Sequence, residues 1–396
     1  MALAYLSYLI KRAINRGKIQ MLSKVRETID QIKELRINFE RSAEIQLKVW
    51  KKEKTKNHPL LLHCDLDDAY YTGLPVFNMK EIHYDLEKMF VSQVRGMMTA
   101  AYGGLHAVPS VRANMGCGIF ATLLGVAQEL YEDKMPWVQK HLSKEQLVMM
   151  EPDDLKIGPE FKMGLDHIAY MAEQLEGTGC LIYPMDVQGP FDIAHLVYGD
   201  ALFYDIYDDP KFVHHLLELS CHAIFKGMEA CFKYIPNSGD IVAHYNGLVM
   251  PRSIGGIKTS EDTSTLLSKE HIEEYVVPYL HKVLTHFGGG YVHYCGKNPH
   301  LFEAVMNIPN VRGINFGNPE KHDMEDILRR CADVGKVYYG NLPQNEGETA
   351  KEYFSKYLKA SKSGDKSLLL LNYNCKKNDQ AEIIEAWNCA CNKILV

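Results

Sequence analysis

Eight short apolar runs with strand character, each separated from the next by a stretch of helical periodicity, limit this chain more than any other feature. They are Leu60-Leu-Leu-His-Cys64, His106-Ala-Val-Pro-Ser-Val-Arg112, Cys180-Leu-Ile-Tyr183, Asp240-Ile-Val-Ala-His-Tyr245, Tyr291-Val-His-Tyr-Cys295, Val311-Arg-Gly-Ile-Asn-Phe316, Lys336-Val-Tyr-Tyr339 and Ser367-Leu-Leu-Leu-Leu371. The intervening segments carry helix signals. Residues 161–175 are periodic; Asp209-Pro210 opens a helix with proline in its first turn and Phe212, Leu216, Leu217 and Leu219 beneath it. Ser268 reads as the cap of another, and residues 323–331, 348–358 and 379–390 complete the series.

Strands alternating with helices imply a parallel sheet with crossover helices, and eight strands are the number that closes a barrel. A (β/α)8 barrel is therefore expected over residues 58–396, ahead of a doubly wound open sheet. No glycine-rich phosphate loop follows the first run, which leads into Asp65-Leu-Asp-Asp68, and this weighs against a dinucleotide-binding fold. Pro109 argues against a regular central strand in the second run.

Residues 1–57 form a separate, strongly charged helical arm, with Val25, Ile29, Ile32 and Leu35 making one apolar stripe and the run Lys51-Lys-Glu-Lys-Thr-Lys-Asn57 reading as a solvated linker. Such an arm packs on its own domain or on a second subunit, so a homodimer is one expectation. The apolar stretch at residues 2–10 is far short of the roughly 20 residues that span a bilayer. Its positive charges, Lys11, Arg12 and Arg16, follow it, the reverse of a signal peptide; an amphipathic helix and a cytoplasmic protein are expected, with no membrane partner. A net charge of −6 lacks the basic excess of a nucleic-acid binder. Ten cysteines among 396 residues are too dilute for a disulfide scaffold, so most read as small buried residues and a few as ligands.

The fifth run separates the two classes. His293 and Cys295 are two apart, and in a strand residues i and i+2 share a face about 7 Å apart. Imidazole nitrogen binds zinc at roughly 2.0 Å and thiolate sulfur at roughly 2.3 Å, so both can reach one ion. In a barrel, functional residues lie at the carboxyl ends of strands. Cys375 follows the last run in Leu371-Asn-Tyr-Asn-Cys375 and is the best third ligand; Cys331, Cys389 and Cys391 fall in helical patterns. Three protein ligands with an open fourth position describe a catalytic zinc, and two thiolates favour zinc over magnesium or manganese. Asp186, Gln188, His244, Asn246, Asn315 and Asn341 stand at expected strand ends as candidates to bind substrate.

From about Pro59 onward the chain resembles the uroporphyrinogen decarboxylase superfamily of (β/α)8 barrels. The resemblance is carried by Gln188-Gly-Pro-Phe191, Leu202-Phe-Tyr-Asp-Ile-Tyr-Asp-Asp-Pro210, Asp262-Thr-Ser-Thr-Leu-Leu-Ser-Lys-Glu270, Glu274-Tyr-Val-Val-Pro-Tyr279, His293-Tyr-Cys-Gly296 and Gly340-Asn341, in that order. Within it, His-x-Cys with a distant C-terminal cysteine resembles the zinc-dependent corrinoid methyltransferases of anaerobic one-carbon metabolism. That resemblance implies His293, Cys295 and Cys375 as zinc ligands, and a methyl group passing between a corrinoid (cobalamin) and a small thiol, methyl ether or methylamine. The corrinoid is expected on a separate protein. Asp192-Ile-Ala-His195-Leu-Val-Tyr-Gly199 has one extra residue in each gap of the histidine motif of corrinoid domains, so it is set aside. Porphyrin decarboxylases carry an arginine-rich motif near the first strand, whereas this chain has no arginine between Arg41 and Arg95. A metal-free lyase acting on a smaller carboxylate and a non-catalytic barrel that binds a ligand or partner are the alternatives. His244-Tyr-Asn-Gly247 departs from the acidic residue that many relatives carry there.

Overall fold

The computed structural model of the chain describes residues 2–53, 55, 58–236, 238–362 and 368–394. Lys54, Lys56 and Asn57 of the expected linker and Ser367 of the last run lie outside them, as do the side chains of residues 2–16, on which the amphipathic reading of the first helix rests.

Eight parallel strands among the described residues build the centre. They are β1 (Leu60–Asp65), β2 (Ser110–Val111), β3 (Leu181–Ile182), β4 (Ile257–Ser260), β5 (Gly290–Tyr294), β6 (Val311–Phe316), β7 (Val337–Gly340) and β8 (Leu369–Lys376). Six of them form one sheet in the order β1-β8-β7-β6-β5-β4, and β2 pairs with β3. Single backbone bonds join the two sheets: His106 N donates to Leu60 O at one seam and Gly189 N to Ser260 O at the other. The expected barrel is the observed fold. Its second strand is only two residues long, as Pro109 requires, because proline brings no N–H to the ladder.

One expected strand is displaced. Ile241–His244 does not join the barrel but pairs antiparallel with Leu248–Pro251. The turn between them needs left-handed backbone at Asn246 (φ 55°) and Gly247 (φ 69°). The fourth barrel position belongs to Ile257–Ser260, where Lys258, Thr259 and Ser260 hide the apolar signature of a strand. β5 lies close against it: a Cβ on Gly290 would sit 2.1 Å from Ile257 O, so glycine at that point lets the two backbones meet.

The arm packs on this same chain. α1 (Ala2–Lys33) buries Val25, Ile29 and Ile32, the stripe that the sequence shows. α2 (Arg36–Trp50) closes the amino end of the barrel. Gln46 Nε2 donates to His106 O (2.7 Å) and Gly247 O (2.8 Å), and its Oε1 accepts from Val249 N (2.8 Å). Trp50 donates its indole N–H to Val249 O at 2.9 Å and packs with Leu61, Tyr291, Val337 and Leu370 inside the barrel. No helix among the described residues is long and apolar enough to cross a membrane.

Trp50 thus plugs the barrel with one hydrogen bond and a large buried ring. Trp50→Ala is expected to destabilise the protein by about 3–5 kcal/mol in chemical denaturation. Trp137→Ala, at a ring 48% exposed, should cost under about 0.5 kcal/mol.

Candidate metal centre and cavity

Alternation along β5 sets the site. Val292 and Tyr294 are fully buried toward the helices, whereas Tyr291 and His293 turn into the barrel and line its cavity. In the neighbouring strand β6, Asn315 is the register partner of His293. Asn315 donates Nδ2 to Tyr339 O at 2.6 Å, which orients the amide so that Oδ1 faces His293 Nδ1 at 2.5 Å. A carbonyl oxygen accepts, so Nδ1 carries the proton and Nε2 keeps its lone pair. That is the arrangement by which a second residue fixes the tautomer of a metal-binding histidine.

The free Nε2 lies 3.6 Å from Cys295 Sγ and 3.8 Å from Asp262 Oδ1. Ligand atoms of these three residues all fall within 4.8 Å of one another. A tetrahedral ion with the zinc bond lengths given above holds its nitrogen and sulfur roughly 3.6 Å apart, so the donor set and spacing fit zinc. Burial and the adjacent Asp262 carboxylate push the Cys295 thiol up to about 11; a divalent cation reverses that order by taking the thiolate. Burial, aided by the Lys258 ammonium, lowers His293 and keeps its imidazole in the neutral form that metals bind.

Asp262 follows β4 on a turn that is held from below. Asp192, in the first turn of α3 (Pro190–Tyr198), accepts from Asp262 N at 2.8 Å and from Thr263 N at 2.7 Å. Asp262 Oδ1 in turn accepts from Cys295 N. Glu261 is buried beside them, with Oε2 accepting from Ser264 Oγ at 2.9 Å. Burial raises both the Asp192 and the Glu261 carboxyls, with repulsion from Asp262 adding to it at Asp192 and repulsion from Asp192 at Glu261.

Cys375 is placed apart from this trio. Asn372 points from β8 into the cavity, and Cys375, an odd number of residues later, faces the helices. Its Sγ lies 3.6 Å from that of Cys64, its register partner on β1. Burial and the neighbouring Cys64 push this thiol up to about 12.

Below the trio the barrel encloses a cavity of about 670 Å³. Asp186, Asn315 and Asn341 line it, as expected of residues that end or follow strands, and Asn246 reaches it from the turn of the displaced hairpin. His244 lines a smaller adjoining hollow with its Nε2 unpartnered, and Gln188, 6% exposed, is not among the lining residues of either. Two charged wall residues, Arg112 and Lys258, escaped the sequence reading along with Asp262. Lys258 Nζ lies 2.8 Å and Arg112 Nη1 3.5 Å from the Asp186 carboxylate. Burial alone would raise the Asp186 carboxyl, but those two cations outweigh it and hold it well below the usual carboxylate range. The overlooked signals were a lone cation at the end of the second run and another inside an unrecognised strand.

Fold and site together define a class: a (β/α)8 barrel with three potential metal ligands grouped at the carboxyl mouth of a charged cavity. The chain belongs to the uroporphyrinogen decarboxylase family, whose sequence model, described as "Uroporphyrinogen decarboxylase (URO-D)", matches residues 78–364. Among solved structures, a methyltransferase from Methanosarcina mazei is similar, with a TM-score of 0.59 and 12% sequence identity over 90% of this chain and 99% of that one. At that identity the likeness shows the shared fold. Comparison with curated proteins gives no match.

Asp186 is the one carboxylate that both wall cations face. Asp186→Ala is expected to cost about 3 kcal/mol in denaturant titration, because it leaves Arg112 and Lys258 without their carboxylate.

Proposed function

We propose that this chain is a zinc-dependent methyltransferase. In this reading it moves a methyl group between the cobalt of a corrinoid, carried by a partner protein, and the heteroatom of a small thiol, methyl ether or methylamine. The observation that carries the reading is the convergence of His293 Nε2, Cys295 Sγ and Asp262 Oδ1 at the mouth of a cavity, with His293 already held in the metal-binding tautomer. Membership of the family and the methyltransferase with the same fold support it.

A zinc ion in this position supplies Lewis acidity, which lowers the pKa of a thiol or stabilises a departing heteroatom. The protein's own part is positional. Asn315 fixes the histidine ring, Asp192 fixes the turn that carries Asp262, and the rings of Tyr291 and Tyr339 wall the cavity below. Asp186, Asn246 and Asn341 face the same space and are proposed to contact the substrate. Cys375 is proposed as a zinc donor that competes with Asp262 for the third position; its side chain would have to cross from the outer to the inner face of β8.

Metal analysis decides between the two donors. About one zinc per chain is expected in the purified protein, lost in His293→Ala and Cys295→Ala. Zinc retained in Cys375→Ala but lost in Asp262→Ala makes Asp262 the third ligand, and the opposite pair of results makes it Cys375. Absence of stoichiometric zinc in the unaltered protein, together with no methyl transfer to or from free cobalamin across thiols, methyl ethers and amines, would sink the proposal. Asn315→Ala should weaken zinc binding by about 10–100-fold, read by competition with a chelator, with little change in melting temperature.

The cationic wall favours one second reading, a metal-free lyase acting on a small carboxylate. Turnover of a carboxylate to carbon dioxide by zinc-depleted protein would favour it.

A further inference from the structure

The inner half of the cavity carries unbalanced charge. Arg112 and Lys258 share one carboxylate, Asp186, and their side chains are 18% and 20% exposed. The second acidic group on the cavity wall, Glu320, is exposed at the rim, where Asn318 Nδ2 donates to it at 3.1 Å. His244, close by, adds no charge, since burial pushes it down to about 3. Asp262, the remaining carboxylate at this end, lies with His293 and Cys295 at the mouth. Arg112 has besides Asp186 only the neutral Asn114 Oδ1, to which it donates at 3.0 Å, so one positive charge deep in the barrel has no carboxylate of its own. An uncompensated cation is costly in such surroundings, and an incoming anion removes that cost.

A separate observation points to a ligand in the same space. Asn372 lines the cavity, is only 4% exposed, and its Oδ1 has no hydrogen-bond partner. A buried amide oxygen is normally satisfied, so this one is set to accept from a group that enters the cavity.

Register gives the depth. Ser260 on β4 pairs with His293 on β5, and Lys258 is two residues earlier on the same strand. At the rise of a β-strand the ammonium base therefore starts roughly 7 Å deeper along the barrel than the His293 level. The Arg112 guanidinium is a planar fork of donors that matches a planar carboxylate better than a spherical anion.

We infer that the substrate of this site is a short-chain carboxylate. Its carboxylate docks on Arg112 and Lys258, and its reacting heteroatom sits at the mouth beside His293 and Cys295. Asn372 Oδ1 accepts from a hydroxyl or amino group where the chain between them carries one. The position of the heteroatom rests on the methyltransferase reading; the carboxylate subsite rests on Arg112 and Lys258, and the unpartnered Asn372 Oδ1 marks the same space as a ligand's.

The test uses three thiols of similar size: 3-mercaptopropionate (anionic), 2-mercaptoethanol (neutral) and cysteamine (cationic). Each is titrated calorimetrically into the purified protein and spectroscopically into protein exchanged with Co(II), and butyrate is compared with 1-butanol as a pair that lacks sulfur. The anionic thiol is expected to bind about tenfold more tightly than the neutral one, with the cationic thiol weakest, and butyrate to compete where butanol does not. In Lys258→Met the anionic advantage should fall to less than about threefold. Circular dichroism establishes that this variant is folded, and the butyrate–butanol comparison on unaltered protein tests the subsite without it. Equal binding of neutral and anionic thiols, or an anionic preference that survives in folded Lys258→Met, overturns the carboxylate subsite. If the thiols still perturb the Co(II) spectrum in that case, the metal site stands. Competition by butyrate with no thiol-dependent change at Co(II) does the reverse: it supports the subsite and removes the metal reading.

Discussion

In a closed barrel of parallel strands, side chains point alternately into the barrel and out toward the helices, and the organisation of this protein depends on that alternation. Along β5 it sends Val292 and Tyr294 into the helix-facing core and Tyr291 and His293 into the interior. Because β5 and β6 run in register, the same rule brings Asn315 beside His293. A one-residue slip of β5 would turn the imidazole into the apolar layer, and one of β6 would turn Asn315 away from it; either breaks the bond that sets the tautomer. The orientation of His293 is thus a consequence of register before it is a consequence of residue type.

The barrel has two unlike ends. The amino end is sealed by α2 and the Ile241–His244 hairpin, with Trp50 inside and Gln46 satisfying three backbone groups that neither element bonds by itself. The carboxyl end is left open, and there the loops bring Asp262, His293 and Cys295 together. Between them lies a wall with two cations and one carboxylate. The seal stabilises the fold, and the open end leaves room for chemistry; there Asp192 ties the turn bearing Asp262 to the start of α3.

Much of this was legible in the chain. The alternation of apolar runs with helical periods marked the barrel, and the spacing of Val25, Ile29 and Ile32 marked the buried face of the arm. His293 and Cys295 were legible because their relation is local: two residues apart in one strand. Asn315 and Asn341 were found by their places at strand ends. The run at Ile241–His244 misled because an apolar strand pattern does not say which partner it pairs with. Ile257–Ser260 was missed because three of its four residues are polar, two of them fully buried in the sheet and one facing the cavity.

The sequence by itself determined the kind of barrel, the family, and one half of the site, since these follow from period, order and near-neighbour spacing. Only the tertiary structure decided what completes that half. It placed Asp262 against His293 across the turn after β4, turned Cys375 toward Cys64, and set Arg112 and Lys258 on one carboxylate. The reason is physical: which side chains from different strands meet is fixed by register and strand face. Those depend on backbone pairing between segments up to some 300 residues apart, as for Cys64 and Cys375, which are 311 apart, and no local pattern encodes them.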